Sequence, residues 1–166
     1  ATIASIEERL GARTAIMVVP IGREHAFRGF VDLLTRKAMV WGSDELGATF
    51  DEIDIPEDIK DEVEKSRIAL VERISETDDT LIEKFLHGTE PTIEELKIAL
   101  RKAVIAYKLV PIYCGTSLRN KGVQPLLDAV VDYLPSPLDL PSVVGTHPKT
   151  GEKLERKRIN EDPFSG

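Results

Sequence analysis

The stretch that decides the fold is residues 108–137, which reads KLVPIYCGTSLRNKGVQPLLDAVVDYLPSP. Its apolar run at 109–114 predicts a buried strand, and the loop 115–122 leads into a helix over 123–134 that Pro135 ends. The inward side of this helix is expected to carry Leu126, Leu127, Val130, Val131 and Leu134. A strand, a loop and a helix in this order predict an α/β fold, with the loop at the edge where such folds bind ligands. A simple polar turn explains the same loop residues.

Upstream of this unit the apolar pattern changes once, from strand period to helix period. Strands are predicted at 14–19, 27–33, 37–42 and 49–54, with 27–33 and 37–42 forming an antiparallel pair. Helices are predicted over 1–10, from Pro56 onward, over 78–87 and from Thr92 to about Tyr107. Thr92 and Glu95 have the spacing of a capping box. The change of period predicts an α+β unit in which helices cover antiparallel strands.

Composition is that of an ordinary globular chain. Of the 166 residues, 42% are apolar and 31% are charged, which suits a single core and not a disordered chain. No apolar run approaches the roughly 18 residues of a membrane helix, and residues 1–10 have no export signal. The lone Cys114 fits a reducing compartment. We therefore expect a cytoplasmic protein without membrane association, and the start at Ala1 inside a predicted helix suggests a piece of a longer chain.

Charge is distributed unevenly along the sequence. The formal net charge is −7, which argues against charge-driven binding of nucleic acid. Residues 51–96 hold 16 acidic and 5 basic residues, a local charge of −11, and the remainder carries +4. This acidic lobe is either a solvated helical surface or a docking surface for a basic protein.

Motifs for chemistry are absent from the sequence. The three histidines and Cys114 have no metal-ligand spacing, so no metal site is expected. The loop 115–122 does not have the spacing of a phosphate loop. Asn120-Lys121 resembles the start of the guanine-binding motif N-K-x-D, but Val123 stands where that motif needs a carboxylate. We therefore expect no catalytic residue in this chain.

Several segments taken in order resemble the second half of the GTPase domain of the elongation factor G family. They are ERLGA, FRGFVDLL, KAMVW, LGATFDEIDIP, TIEELKIALRKAVIAYKLVPIYCG, KGVQPLLDAVVDYLPSP and EDPFSG, and together they span essentially the whole chain. The resemblance implies a doubly wound P-loop GTPase sheet with an inserted α+β subdomain of antiparallel strands and helices. By position, 1–13 is the end of a GTPase-domain helix, 14–108 the insertion, 109–137 the last strand and helix of the GTPase fold, and 138–166 a linker to a β-barrel domain. The residues of 138–166 by themselves predict a linker or a hairpin that leans on another domain.

The resemblance also implies an activity for the longer protein. Family members bind GTP and Mg²⁺, hydrolyse GTP on the ribosome and drive translocation of tRNA and mRNA. Their phosphate loop, switch regions and N-K-x-D motif belong before Ala1, so this chain alone is expected to be inactive, monomeric and without a cofactor. Two alternatives stay open. One is the same region of a sister translational GTPase, a ribosomal protection protein or a release-factor recycling GTPase. The other is a stand-alone acidic binding domain.

Two sites are implied by the resemblance. The family's guanine-base loop usually reads G-S-A-F, and here Gly115 is followed by Thr116, Ser117 and Leu118. The contact to the guanine oxygen comes mostly from a backbone N–H, which does not depend on the side chain.

The second implied site is an acidic helix that contacts the C-terminal domain of the ribosomal stalk protein. The matching positions are Glu72, Glu76 and Asp79. On one continuous helix they lie within roughly 60° of each other. A helix break near Thr77 would move Asp79 off that stripe.

Overall fold

The computed structural model describes residues 2–42, 47, 49–156 and 159. Within them the chain has a mixed α/β fold with parallel and antiparallel strand pairing. The α-helices are α1 (Thr2–Leu10), α2 (Lys60–Ser75), α3 (Asp79–Leu86), α4 (Ile93–Ile105) and α5 (Val123–Tyr133). The β-strands are β1 (Thr14–Ile16), β2 (Val18–Ile21), β3 (Gly29–Asp32), β4 (Lys37–Val40), β5 (Asp51–Ile53), β6 (Val110–Ile112), β7 (Val143–Thr146) and β8 (Lys153–Arg156). None of the described helices has both the length and the apolar character needed to cross a bilayer.

A parallel pair of strands, β1 and β6, joins distant parts of the chain. The strand predicted at 14–19 is wrong in its extent, because it is two strands divided at Met17. The N–H of Met17 donates to the carbonyl of Ile112 at 3.0 Å, which extends the parallel pair. Its own carbonyl accepts from the N–H of Leu33 at 2.9 Å, which begins the pairing with the second sheet. The chain therefore passes from one sheet to the other within one residue.

The second sheet is antiparallel, with the strand order β2-β3-β4-β5. This order confirms the predicted pairing of 27–33 with 37–42. The turn between these strands is stabilised by Asp32, whose Oδ1 accepts from the N–H groups of Leu34 and Thr35, both at 2.8 Å. Such an aspartate turn is a local signal.

One apolar core joins the antiparallel sheet to the helices that follow it. Its largest fully buried members include Met17, Phe30, Leu33, Ile74, Leu96, Leu100 and Leu109. The helix α2 contributes Val63, Leu70 and Ile74, which are spaced at 3.6-residue periodicity. The predicted cover of antiparallel strands by helices is thereby confirmed.

The inward side predicted for the last helix is wrong. The buried residues of α5 are Ala129 and Tyr133. The five residues expected inside are exposed: Leu126, Leu127, Val130, Val131 and Leu134. The periodicity located an apolar face correctly, but within the described chain α5 packs mainly on α4, and the sheet of β1 and β6 has only two strands.

The chain divides into two compact units, residues 1–133 and residues 134–166. Within the second unit β7 and β8 form an antiparallel hairpin. His147 Nδ1 accepts from the N–H groups of Lys149 and Thr150 at 3.3 and 3.2 Å, which shapes the hairpin turn. Of the two structures predicted for this segment, a linker or a hairpin, the hairpin is confirmed, and the role of the segment between domains stays a prediction. The motif EDPFSG at 161–166 lies outside the described residues.

Candidate functional site

The loop after β6 is closed by its own backbone. The N–H of Thr116 donates to the carbonyl of Lys121 at 3.0 Å, and the N–H of Lys121 donates back to the carbonyl of Thr116 at 3.1 Å. A short 3-10 helix, Ser117–Arg119, forms the top of the loop. It ends at Asn120, which is left-handed with φ 53°. The loop is therefore a fixed turn with three helical residues at its tip.

Two glycines allow this closure. A Cβ atom on Gly115 would lie 2.7 Å from the carbonyl oxygen of Lys121. At Gly122 the φ angle is +84°, and a Cβ would lie 3.2 Å from the ring of Phe30. Only glycine combines that angle with that proximity at low cost. The positions of Gly115 and Gly122, which do not match a phosphate loop, are thus explained by the closure of this turn.

The tip of the loop offers two backbone donors. Among the described residues, nothing accepts from the N–H groups of Ser117 and Leu118, whereas the N–H of Thr116 is used within the loop. Leu118 is 95% exposed. Two successive free N–H groups suit an anion or a carbonyl oxygen. Of the three residues predicted for a base loop, two therefore have an available donor.

Two residues that follow β4 in the chain, Trp41 and Gly47, contact this loop or the start of the helix after it. Lys121 Nζ lies 3.5 Å from the carbonyl oxygen of Trp41, and Gln124 Nε2 donates to the carbonyl of Gly47 at 2.9 Å. A Cβ on Gly47 would lie 2.6 Å from the carbonyl oxygen of Arg119. Sequence reasoning missed Gly47 and Gln124, because both act across the fold and belong to no motif.

The three acidic positions do not lie on one helix. Glu72 is exposed on α2, and no basic group of the described chain pairs with it. Glu76 follows the last residue of α2 and forms an ion pair with Arg13. Asp79 is the first residue of α3.

The expected stripe on one continuous helix therefore does not hold for Asp79. The physical reason is Asp78, whose Oδ1 accepts from the N–H groups of Thr80 and Leu81 at 3.1 and 3.4 Å. This side-chain cap begins α3 and breaks the helix next to Thr77, where the sequence indicated that a break would matter. The docking role of Asp79 stays a prediction.

A cavity of about 530 Å³ lies between α1, β1 and α2, next to the acidic pair of Glu72 and Glu76. Glu7 accepts from Thr14 Oγ1 at 2.6 Å and from Arg73 Nη1 at 3.0 Å. These two hydrogen bonds, the one from Thr14 first, lower the pKa of the Glu7 carboxyl. Glu72 and Glu76 line the rim of this cavity. Most of its charged groups are paired with each other, Glu7 with Arg73 and Glu76 with Arg13. We therefore interpret the cavity as part of the packing of α1 and β1 on α2 and not as a ligand site.

Other titratable groups give no chemical site. Burial raises the pKa of the Cys114 thiol, which makes it a poor nucleophile. No group of three or more side chains able to ligate a metal lies together in the described part of the chain. The expectations of no metal and no catalytic residue stay predictions.

Together, the fold and the loop define a mixed α/β protein with a closed turn at the carboxyl end of a parallel strand. No family model matches the chain. Among solved structures, a crystal structure of a protein from Thermus thermophilus is similar, with a TM-score of 0.71 and 26% sequence identity over 92% of this chain. The chain spans 24% of the length of that protein.

Proposed function

We propose that this chain is part of a translational GTPase of the elongation factor G family, which hydrolyses GTP on the ribosome to move tRNA and mRNA. The support is the resemblance of its segments along the whole sequence, together with the mixed α/β fold. The similar Thermus thermophilus protein, of which this chain spans 24%, agrees with a piece of a longer protein. A cytoplasmic location goes with this function.

One observation carries the nucleotide part of the proposal: the two free N–H groups of Ser117 and Leu118 at the tip of a rigid loop. Guanine presents its O6 carbonyl as an acceptor. A fixed pair of backbone donors at the end of a parallel strand is suited to that oxygen. Because the loop lacks the spacing of a phosphate loop, we assign these donors to the base of GTP and not to its phosphates. The phosphate groups, Mg²⁺ and the hydrolytic step belong to segments of the longer protein.

The test removes one donor without changing the loop. Ser117 is the first residue of the 3-10 helix, a position that proline tolerates, and the preceding Thr116 is extended with φ −125° and ψ 93°. Ser117→Pro in the full-length protein should weaken GDP binding by roughly 5- to 100-fold, the range for loss of one buried hydrogen bond. Leu118→Ala keeps its N–H and is the control. Equal GDP affinity of Ser117→Pro and wild type, measured by calorimetry, would overturn the base contact.

The exposed carboxylates of Glu72 and Glu76 form an acidic face, and this face is proposed to dock on the C-terminal domain of the ribosomal stalk protein. Glu72 supports this role, because its exposed carboxylate has no basic partner in the described residues and so contributes little to folding. In the ion pair of Glu76 with Arg13 both side chains are about half exposed, and such pairs contribute about 0–1 kcal/mol to the free energy of unfolding. The acidic pair is thus available to a partner at little cost in stability.

A charge reversal tests the docking. Glu72→Lys with Glu76→Lys should slow association with the stalk domain at low salt, and the difference should shrink as salt screens the charges. The control is Glu8→Lys with Asp128→Lys, which changes the net charge equally at exposed positions elsewhere. Equal association rates of the acidic-face variant and wild type at low salt would reject docking through this face.

A further inference from the structure

An apolar groove of about 340 Å³ opens beside the acidic face. It lies between α2, α3 and the segment that joins α3 to α4. Ile68 and Phe85 line it and are 59% and 40% exposed, and the buried Val71 lines it as well. The groove therefore presents apolar surface that the fold of this unit does not use.

The position of Ile68 links the groove to the acidic face. Residues Glu64, Ile68, Glu72 and Glu76 follow each other at intervals of four along α2 and its end. Successive members are turned by only about 40°, so they form one stripe along the helix. Ile68 is the apolar member of an otherwise acidic stripe, and the buried Val71, turned by about 60° from it, adjoins it on the side that faces the core.

Arg67, which lines the groove, connects α2 to the turn after β3 and to Glu90. This buried side chain donates through Nη1 to the carbonyls of Leu33 and Leu34, the latter at 3.1 Å, and through Nη2 to Glu90 Oε1 at 2.7 Å. Arg36 lies 3.6 Å from Glu64 and 3.4 Å from Glu90. The two basic and the two acidic side chains that line the groove are thus paired with each other, and the carboxylate of Glu72, unpaired among the described residues, lies outside the groove.

We propose that this groove receives an apolar side chain from a cationic amphipathic helix of a partner protein. The argument is charge complementarity: the lobe 51–96 carries −11, and Glu72 lies one turn from Ile68 without a basic partner in the part of the chain that is described. A helix with apolar residues on one side and Lys or Arg beside them fits both features. The proposal rests on the proposed docking function, to which it adds an apolar anchor.

The experiment compares two isoleucines of similar exposure. Ile68→Ala removes the anchor, and Ile98→Ala on α4, where Ile98 is 56% exposed, is the matched control. Alanine is a good helix former, so both variants should fold, which circular dichroism checks. The probe is the stalk protein's C-terminal domain, and binding is measured in full-length protein at low and high salt.

We expect Ile68→Ala to weaken binding about tenfold at both salt concentrations, because the lost contact is apolar and acts mainly on dissociation. Ile98→Ala should bind as wild type does. If Ile68→Ala binds like the control while the Glu72→Lys, Glu76→Lys variant is impaired, the groove is overturned and the docking function stands. If wild type does not bind at all, both are overturned. A loss in Ile68→Ala that disappears at high salt would also contradict an apolar anchor.

Discussion

Thr92 and Glu95 bind each other reciprocally at the start of α4. The N–H of Thr92 donates to Glu95 Oε2 at 2.9 Å, and the N–H of Glu95 donates to Thr92 Oγ1 at 3.3 Å. Thr92→Ala should lower the free energy of unfolding by about 1 kcal/mol, since helix caps contribute roughly 0.5–2 kcal/mol. Urea unfolding measures the change, with Thr89→Ala, at an exposed position outside a helix, as the control. A Thr92→Ala protein as stable as wild type would contradict the role of the cap.

Glu95 should also make stability depend on acid pH. The hydrogen bond from Lys84, followed by that from the backbone of Thr92, lowers the pKa of Glu95 from 4.5 to about 2. The folded protein then binds fewer protons than the unfolded chain in this interval, so stability falls as pH falls from about 4.5 towards about 2. Glu95→Gln should remove this share of the loss. Urea midpoints at a series of pH values test it, and an unchanged pH profile in the variant would refute it.

Stability should fall again at alkaline pH. Burial raises the pKa of both Tyr113 and Tyr133, and the carboxylates of Asp32 and Asp132 add to the shift. The unfolded chain loses these protons near the ordinary value of 10.0, before the folded protein does. Stability is therefore lost as pH rises above about 10. Tyr113→Phe should reduce this loss, and Tyr107→Phe, at a 92% exposed site, should not. Identical alkaline profiles for the two variants would count against the buried pair.

Tyr107 is strained at the end of α4. Its φ angle is 56°, a left-handed conformation, and the next N–H, that of Lys108, donates to the carbonyl of Ala103 at 2.8 Å. Glycine is the usual residue at this place after a helix. Tyr107→Gly should raise the free energy of unfolding by about 1 kcal/mol. Thermal and urea unfolding check this, and a destabilised variant would mean that the exposed ring makes a favourable contact.

The isolated chain should show no measurable binding of GTP. Two N–H groups at Ser117 and Leu118 cannot replace a phosphate loop and a base-binding carboxylate. Isothermal calorimetry is the measurement, with the full-length protein as the positive control. Micromolar affinity of the isolated chain for GTP would be the contrary result.

Local signals in the sequence predicted much of this fold. The capping box of Thr92 and Glu95 and the antiparallel strand pair joined at Asp32 are confirmed, because each depends on residues a few positions apart. The division of the first strand at Met17 could not be predicted, since it depends on partners far along the chain. The exposure of Val131 likewise depends on what packs against α5, which periodicity alone does not reveal.

The candidate loop was predicted in position but not in mechanism. Its place after β6 and its residues Thr116, Ser117 and Leu118 came from a local pattern and a resemblance. Which N–H groups are free depends on a backbone bridge to Lys121, and the support from Gly47 comes from a residue far away in the sequence. Glu72, Glu76 and Asp79 do not share one helix, because the side chain of Asp78 caps the start of α3 and so ends the continuous helix that the prediction assumed.

The two sheets are joined at Met17 by a single residue. Ile16 ends one sheet and Val18 begins the other, with main-chain bonds on both sides of the single residue between them. A hinge needs residues whose backbone angles are free to change, and this crossing has none to spare. Any rotation of one sheet against the other would therefore have to break main-chain hydrogen bonds at Met17.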